Sequence, residues 1–330
     1  MVPALSTEWV AARLPSDFMM LVVKSIDDIP PELRQSMVTI GNFDGVHLGH
    51  RRIFESVTGA ARRAGAASVV ITFDPHPKKI IHPERRPFFL LTPLEEKIAL
   101  IEACGIDAVI VINFTPDFAE TTAESFVDEI LWKRLRIQSL FIGYDYTFGK
   151  GRRGNATFLK KQGERLGFTV AQIGPVTVGD KVVSSTNIRL SILDGDVRLV
   201  SRMLDRYYDV NGTVVKGFRR GTGMGFPTAN IESEKVIPHV GVYVVYVVID
   251  GKRYEGVLNI GFNPTFGNNE LSIEGHLFDF QGDIYGKDVT ILFVERLRDE
   301  MKFPGPQELA GQIRKDIARG KEILAREPTS

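Results

Sequence analysis

Two histidines, His47 and His50, are spaced so that both side chains could face one ligand. They stand in the stretch G-N-F-D-G-V-H-L-G-H at 41–50, which follows three β-prone residues and precedes a segment with helical apolar periodicity. The expected local structure is a strand, a glycine loop and a helix start. A helix start attracts phosphate oxygens because its backbone N–H groups are unpaired and its dipole is positive there. The pattern therefore predicts a triphosphate site, at which Gly49 lets a phosphate come close to the backbone.

The alternative is that these histidines only cap a turn or lie on the surface. The strand before them and the amphipathic helix after them favour the nucleotide loop. Two other phosphate-binding patterns are excluded, since the sequence has no G-x-x-x-x-G-K-[ST] and no G-x-G-x-x-G opening this helix.

Three further stretches are expected near this loop. T-F-D-P-H-P at 72–77 and G-Y-D-Y-T-F-G at 143–149 each follow a short apolar run that is typical of a buried strand. S-S-T-N-I-R at 184–189 resembles a capped helix start, and Arg189 could stabilise a departing anion through its fork of donors. A simple capped helix with a solvated arginine is the alternative.

A second candidate site lies in the C-terminal part. The loop 217–225 is basic and rich in glycine, and Thr228 and Asn230 follow it with oxygen atoms that could help to hold Mg²⁺. An ordinary hairpin loop would have a similar composition. Glu274 lies in a β-like stretch, where it could take a proton from an alcohol during phosphorylation or could simply face solvent.

The elements that would position these residues fall into two classes. Strands and helices alternate up to about Arg189, which favours a Rossmann-like α/β domain with a parallel sheet, and its ligands would bind beyond the carboxyl ends of the strands. Within it, Thr92 is expected to cap a helix. Many strands with few helices follow, which favours a small antiparallel β-barrel with a terminal helix from about Pro306. We expect an extension at 1–18, an α/β domain with the histidine site at 19–190, a helical linker at 191–207 and a barrel domain at 208–330.

Composition argues against several classes of protein. The 330 residues suffice for two domains, and the 41 basic residues balance the 41 acidic ones, so a dedicated DNA or RNA binder is disfavoured. The longest strongly apolar run, Val242–Ile249, is far too short to cross a bilayer. A single cysteine, Cys104, excludes an internal disulfide and indicates a reducing cytoplasm.

The motifs together resemble one family, the bifunctional riboflavin kinase/FAD synthetases of bacteria, over roughly residues 20–325. The resemblance includes the four N-terminal motifs above and, in the C-terminal part, G-F-P-T-A-N at 225–230, N-P-T-F at 263–266, S-I-E-G-H-L-F-D-F at 272–280 and Y-G-K at 285–287. Small departures from the family are Tyr146 in place of the usual Phe, Gly275 after Glu274, and the additional residues 1–18.

The resemblance implies two reactions. The C-terminal domain would transfer the γ-phosphoryl group of ATP to riboflavin, with Glu274 as base and Thr228 and Asn230 binding Mg²⁺. The N-terminal domain would join AMP from a second ATP to FMN, giving FAD and pyrophosphate, with His47, His50 and Arg189 acting on the phosphates. The expected nucleotide-binding residues are Gly41, Asn42, Phe43, Gly49, Asp145, Ser184, Ser185, Gly217, Gly221, Gly223 and Gly225. The expected flavin-binding residues are Phe73, Pro75, His76, Pro77 and Arg298.

Two rival interpretations stay open from sequence. One is a nucleotidyltransferase of the same His-x-Gly-His superfamily that acts on another substrate, although it leaves the regions around Gly225–Asn230 and Glu274 unexplained. The other is a flavin-binding or regulatory protein without turnover. The expected partners are small molecules, with a homo-oligomer possible.

Overall fold

The computed structural model describes residues 19–85, 88–214, 228–229, 233–263, 270–280, 282 and 284–328, with the backbone alone at 85, 228–229, 262–263 and 270–272. The chain divides into two compact units, and the boundary in the sequence falls between Ser185 and Thr186. Each unit has its own sheet.

The first unit contains a six-stranded sheet in the order β1-β4-β3-β2-β5-β6, and every neighbouring pair in it is parallel. Its strands are β1 (Leu21–Val23), β2 (Met37–Ile40), β3 (Ser68–Asp74), β4 (Ala108–Asn113), β5 (Ser139–Gly143) and β6 (Thr169–Ile173), and a small hairpin follows with β7 (Thr177–Val178) and β8 (Lys181–Val182). Its helices are α1 (Leu48–Ala64), α2 (Pro77–Ile81), α3 (Leu94–Glu102), α4 (Pro116–Ala119), α5 (Ala123–Ser125), which continues as a π-helix (Phe126–Arg134), and α6 (Ala156–Leu166). Short 3₁₀ turns lie at Ile26–Asp28, Pro31–Leu33, Pro83–Arg85 and Lys150–Arg152.

Helices cover both faces of this sheet because its strands are apolar on both sides. Along β3 successive side chains point to opposite faces. Val70 packs with Phe54 and Val57 of α1 on one face, and Ile71 packs with Leu131 of the π-helix on the other.

The chain direction across the sheet reverses between β2 and β5. From β2 the chain proceeds through β3 to β4 on one side, and from β5 it proceeds to β6 on the other. A crevice opens at the carboxyl ends of the strands where such a reversal occurs. The loop 41–47 after β2 and the loop after β5 therefore flank the position at which an open α/β sheet binds its ligand.

The expected cap at Thr92 is wrong. Helix α3 begins at Leu94, its N-cap residue is Pro93, and no side chain caps it. The Thr92 hydroxyl instead accepts a hydrogen bond from the backbone N–H of Gly45, 2.9 Å away. The Thr92 hydroxyl therefore makes a tertiary contact, whereas the local sequence predicted that it would cap the helix.

The second unit contains a six-stranded antiparallel sheet in the order β10-β13-β12-β11-β14-β9. The strands are β9 (Tyr208–Thr213), β10 (Thr228–Ala229), β11 (Gly241–Ile249), β12 (Lys252–Asn263), β13 (Glu270–Leu277) and β14 (Asp288–Arg298), and the helices are α7 (Ser185–Leu193), α8 (Val197–Leu204) and α9 (Pro306–Leu324). Asp250 and Gly251, both at positive φ, form the tight turn between β11 and β12. Ile323 and Leu324 of α9 pack with Val244 and Val257 of the sheet.

The predicted classes of both domains are confirmed, a parallel Rossmann-like sheet followed by antiparallel strands with a terminal helix. The chain that joins β9 to β10 lies outside the described residues. In the region expected to be a helical linker, α8 packs against β14 and β9. No helix in the described ranges is long and apolar enough to span a membrane.

Candidate active sites

His47 and His50 are stacked at the start of α1. Their ring centroids are 3.6 Å apart and their planes are inclined by 19°. His47 is the N-cap residue of the helix, and its Nδ1 accepts a hydrogen bond from the backbone N–H of His50, 3.3 Å away. The helix start and the histidine pair are thus one structural feature, placed directly beyond the carboxyl end of β2.

This geometry favours two neutral rings. An Nδ1 that accepts a hydrogen bond carries no proton, so a neutral His47 has its proton on Nε2. Burial lowers the pKa of His50 well below its usual value, and the charges of His47 and Lys97 lower it further. The buried Nδ1 of His50 has no hydrogen-bond partner within the described chain. The pair therefore offers ring N–H donors to a phosphate without carrying two charges at van der Waals distance.

Gly49 is required by the ring of His47. A Cβ atom at this position would lie 3.1 Å from Cε1 and 3.2 Å from Nδ1 of that ring. Phe43, which is buried, supports the other ring, because it contacts His50 edge-on at a centroid distance of 5.1 Å. The Phe43 ring also lies against Gly41, where a Cβ would come within 2.9 Å of it. That the nucleotide contacts Gly41, Phe43 and Gly49 stays a prediction.

A buried carboxylate, Asp44, holds the loop 41–47 in place. It accepts hydrogen bonds from the backbone N–H groups of Leu91 and Thr92, each at 3.0 Å. The backbone carbonyl of Asp44 accepts one from the Ser185 hydroxyl at 2.8 Å. The structure thus brings Ser185 next to the histidine loop, as expected for a residue of the nucleotide site. Ser184 is adjacent to it in the chain.

Asn42 and the segment 72–77 lie on neighbouring strand ends. The Thr72 hydroxyl donates to the Asn42 carbonyl at 3.2 Å, which ties the end of β3 to the loop after β2. Phe73 is 9% exposed and packs edge-on against Phe114. His76 is buried, and its Nδ1 accepts from the N–H of Lys78 at the start of α2. The structure thus ties the start of the segment 72–77 to the histidine loop. That Phe73, Pro75, His76 and Pro77 bind the flavin stays a prediction.

The loop 143–149 follows β5 on the other side of β2. Asp145 is exposed, as its predicted role in binding nucleotide requires. Tyr146 stacks on Phe148 at a centroid distance of 5.6 Å. Burial raises the pKa of the Tyr146 hydroxyl, which has no hydrogen-bond partner among the described residues. The hydroxyl that distinguishes Tyr146 from the family's usual Phe is thus buried.

Arg189 lies in α7, one turn after Ser185. The division of the chain assigns it to the second unit. Its predicted action on pyrophosphate stays a prediction.

Glu274 lies on β13, the middle one of three neighbouring strands in the second unit. In the antiparallel register it lies opposite Thr228 of β10 on one side and Asn259 of β12 on the other. Partial loss of hydration raises the pKa of its carboxyl group, and the Glu300 carboxylate raises it further. The Glu274 residue is nevertheless exposed at the surface, so a substrate can reach it. A raised pKa makes it a stronger proton acceptor than an ordinary surface carboxylate.

The structure describes fewer of the other residues that were predicted for this site. Asn230 and the glycines Gly217, Gly221, Gly223 and Gly225 lie outside the described residues. The Arg298 guanidinium is held by the buried carboxylate of Asp316 on α9, with Nη2 to Oδ2 at 2.7 Å. In the described ranges no group of three or more His, Cys, Asp or Glu side chains could hold a metal ion.

Sequence reasoning missed three charged residues at these sites, namely Asp44, Lys97 and Glu300. Asp44 is part of the glycine loop and could have been suspected from its position there. Lys97 and Glu300 look like ordinary surface residues in the sequence, because nothing near them signals burial or a partner.

Two family models match this chain, one in each half. The model described as FAD synthetase matches residues 29–187, and the model described as riboflavin kinase matches residues 204–324. A protein of Bacillus subtilis (strain 168) described as bifunctional riboflavin kinase/FMN adenylyltransferase is 37% identical over 294 residues, which cover 87% of this chain and 92% of that protein. The chain belongs to the bifunctional riboflavin kinase/FMN adenylyltransferase family. The predicted family is confirmed.

Other members of the family match over similar lengths. The protein of the same description from Pseudomonas fluorescens is 36% identical and covers 93% of this chain and 98% of that protein. The one from Escherichia coli (strain K12) is 34% identical and covers 92% of this chain and 98% of that protein. This chain thus spans nearly the whole length of these relatives.

A solved structure has the same fold along most of its length. It is described as a macrolide-efflux protein from Streptococcus pneumoniae, and it is 32% identical with a TM-score of 0.82 over 92% of this chain and 99% of that one. That description concerns the other protein, and what it shares with this family member is the fold.

Proposed function

We propose that this chain makes FMN from riboflavin in its second unit and FAD from FMN in its first. One observation carries the proposal: each unit matches a different family model and holds its own candidate site. The predicted pair of activities, riboflavin kinase and FMN adenylyltransferase, is confirmed by membership of the family. Riboflavin, FMN and FAD are accordingly substrates and products.

In the first unit the phosphate of FMN attacks the α-phosphorus of ATP, and pyrophosphate leaves. The FMN phosphate is already a nucleophile, so the reaction needs alignment and charge stabilisation rather than a covalent enzyme intermediate. The stacked histidines donate ring N–H groups to the triphosphate. The action of Arg189 on the departing pyrophosphate is what the family resemblance implies. The walls at 72–77 and 143–149 enclose the flavin and the nucleotide.

In the second unit the terminal hydroxyl of the ribityl chain of riboflavin attacks the γ-phosphorus of a second ATP, and ADP leaves. Glu274 accepts the hydroxyl proton as the oxygen–phosphorus bond forms. The family resemblance implies that loop 217–225, which lies outside the described residues, would cover the phosphates and that Arg298 would close over the flavin.

Thr228 and Asn230 would hold Mg²⁺ in this unit. The register supports that assignment, because Thr228 lies directly opposite Glu274 and the metal would then be beside the proposed base. Hydroxyl and carboxamide oxygens suit a hard cation that keeps part of its water shell. The bound ion would offset phosphate charge during transfer.

A cytoplasmic location and a homo-oligomer stay predictions. The single cysteine supports the first of these.

Product analysis with separated variants tests the assignment of one reaction to each unit. The protein is supplied with riboflavin, ATP and Mg²⁺, and flavins are separated by chromatography. Glu274→Gln should abolish FMN formation and leave the conversion of added FMN to FAD intact. His50→Ala should do the reverse.

Matched controls are available in the chain. Glu255→Gln removes an exposed carboxylate from the neighbouring strand β12, and His82→Ala removes an exposed histidine beside Glu84; both should retain both reactions. If either test variant lost both reactions while folded, the assignment of one reaction to each unit would be wrong. If the wild-type protein bound flavin without any turnover, the enzyme assignment itself would fail.

A further inference from the structure

Lys97 is a buried cation that neither the proposed adenylylation nor the motifs use. It lies in α3 and is only 5% exposed. Its ammonium group donates to the backbone carbonyls of Asn42 and Phe73, each at 3.3 Å. Burial of a lysine costs free energy unless its charge is compensated. A lysine retained here must therefore serve the groups around it.

The two carbonyls belong to the two loops that form the site. Asn42 follows β2 in the histidine loop, and Phe73 lies at the end of β3 in the segment 72–77. Carbonyls at strand ends have lost their partners in the sheet ladder and need other donors. A charged donor shared by both fixes the spacing between the two loops more strongly than a neutral one.

The charge of Lys97 also acts on its surroundings. Asp44 and Asp74 carry the negative charges that face it, and they oppose the effect of burial, which lowers its pKa. The lysine charge in turn contributes to the low pKa of His50. One ammonium thus interacts electrostatically with two carboxylates and with His50.

We propose that Lys97 is a positioning residue for FMN adenylylation: its ammonium ties the two strand-end loops together and supplies a fixed positive charge to the site that contains His50. A positive charge held in a poorly hydrated site stabilises a triphosphate and needs no reorganisation when pyrophosphate leaves. Lys97 acts on the substrates through its charge and through the two loops that it holds. The inference rests on the proposed adenylylation in the first unit.

Two variants separate the charge from the hydrogen bonds. Lys97→Met removes both, and Lys97→Gln removes the charge but keeps an N–H donor. Both should lower kcat/KM for FMN adenylylation by about 10- to 100-fold, the effect expected of misplaced reacting groups. FMN formation by the second unit should be unchanged in both. Lys133→Met, which removes an exposed lysine paired with Glu129, is the matched control and should leave both reactions unchanged.

The pH profile distinguishes positioning from mere structural support. Without the ammonium charge, protonation of His50 becomes easier, so its pKa rises towards its ordinary value. The acidic limb of kcat/KM should then move to higher pH in both variants, because a charge acts more strongly through a poorly hydrated interior than through water. Surrounding groups that titrate, Asp44, Asp74 and His47, are the same in all the proteins compared.

The outcomes are distinct. A Lys97→Gln protein with wild-type rate and pH profile would overturn the proposal, as would slow variants whose acidic limb does not move. Loss of folding of the first unit in both variants, seen by calorimetry, would assign Lys97 a purely structural role and would also overturn it. Failure of the wild-type protein to form FAD would instead refute the proposed function.

Discussion

At the scale of single residues, the glycine between the two histidines offers a direct test of the stacked geometry. Gly49→Ala places a methyl group 3.1 Å from the His47 ring, closer than most carbon contacts, so the ring has to shift from its stacked position. We expect kcat/KM for FMN adenylylation to fall about tenfold and riboflavin phosphorylation to stay at the wild-type rate. Steady-state assays of the two reactions check this.

Gly59 lies in the same helix and provides the control. A Cβ there would have only one neighbour within 4 Å, an Arg63 nitrogen at 3.5 Å, which is an ordinary contact. Gly59→Ala should therefore leave both activities unchanged and raise stability by up to about 1 kcal/mol, the usual gain in a helix interior. Equal effects of the two alanines on adenylylation would contradict the role given to Gly49.

The buried state of His50 predicts a dependence of stability on pH. Because the folded-state pKa is lowered, the unfolded chain binds a proton near pH 6.5 that the folded chain refuses. The free energy of unfolding of the first unit should thus decrease as the pH falls below about 6.5, by at most about 1.4 kcal/mol per pH unit. His50→Gln removes this contribution, so its stability should decline less between pH 7.5 and pH 5.

Denaturant titrations at several pH values measure this difference. An identical decline in His50→Gln and the wild type would show that His50 titrates alike in the folded and unfolded chains.

Residue types and spacing predicted the histidine pair, because a glycine loop between a strand and a helix leaves few other arrangements. The contacts beneath the pair could not be predicted in the same way. Asp44, Thr92 and Lys97 hold the loop through partners 47 to 55 residues away in the chain. Such contacts depend on how distant elements pack, which local periodicity does not encode. For this reason Thr92 was expected at a helix cap and serves the loop instead.

At the scale of elements, the chain end after α9 is fixed by a buried ionic contact. Glu327 is 6% exposed in its side chain, pairs with Arg198 of α8 and accepts a hydrogen bond from the Tyr207 hydroxyl. Glu327→Ala would leave the arginine and the hydroxyl without this partner. We expect the second unit to lose about 2 kcal/mol of unfolding free energy, less than for a fully buried pair because Arg198 is partly exposed.

Glu322, on the same helix, gives the comparison. It pairs with Arg319 at 2.9 Å, but both side chains are more than half exposed. Glu322→Ala should cost less than about 0.5 kcal/mol. Denaturant unfolding measures the free energy of unfolding of both variants. Similar losses of free energy would show that the contact of Glu327 with α8 stabilises the unit no more than an ordinary surface pair does.

Apolar and β-prone runs predicted the strands that lead into the loops of the first unit, and β2, β3 and β5 lie there. Other elements gave no such signal. The strand β6 lies at the edge of its sheet with mixed polar and apolar residues, and the hairpin of β7 and β8 has only two residues in each strand. A strand at the edge of a sheet is less buried, so its sequence lacks the apolar run that predicts a strand.

At the scale of the whole molecule, each unit has its own apolar core and its own candidate site. Two clusters of apolar side chains cover the two faces of the parallel sheet, and a third lies between the antiparallel sheet and α9. The change of pattern after about residue 208 predicted this difference in class. A boundary at Ser185–Thr186 could not be predicted, because it falls within α7, directly after the first residue of that helix.

The separation of the two sites predicts that inactive variants complement each other. Glu274→Gln should be able to adenylylate FMN but not make it, and His50→Ala should make FMN but not use it. If FMN passes between the sites through solution, an equimolar mixture at twice the total chain concentration should convert riboflavin to FAD at about the wild-type rate after a lag. During the lag, free FMN accumulates to the level that the first unit needs. Chromatographic time courses of the mixture, of each variant alone and of the wild type measure this. A mixture that releases FMN yet forms FAD far more slowly than the wild type would show instead that FMN is handed over within one chain.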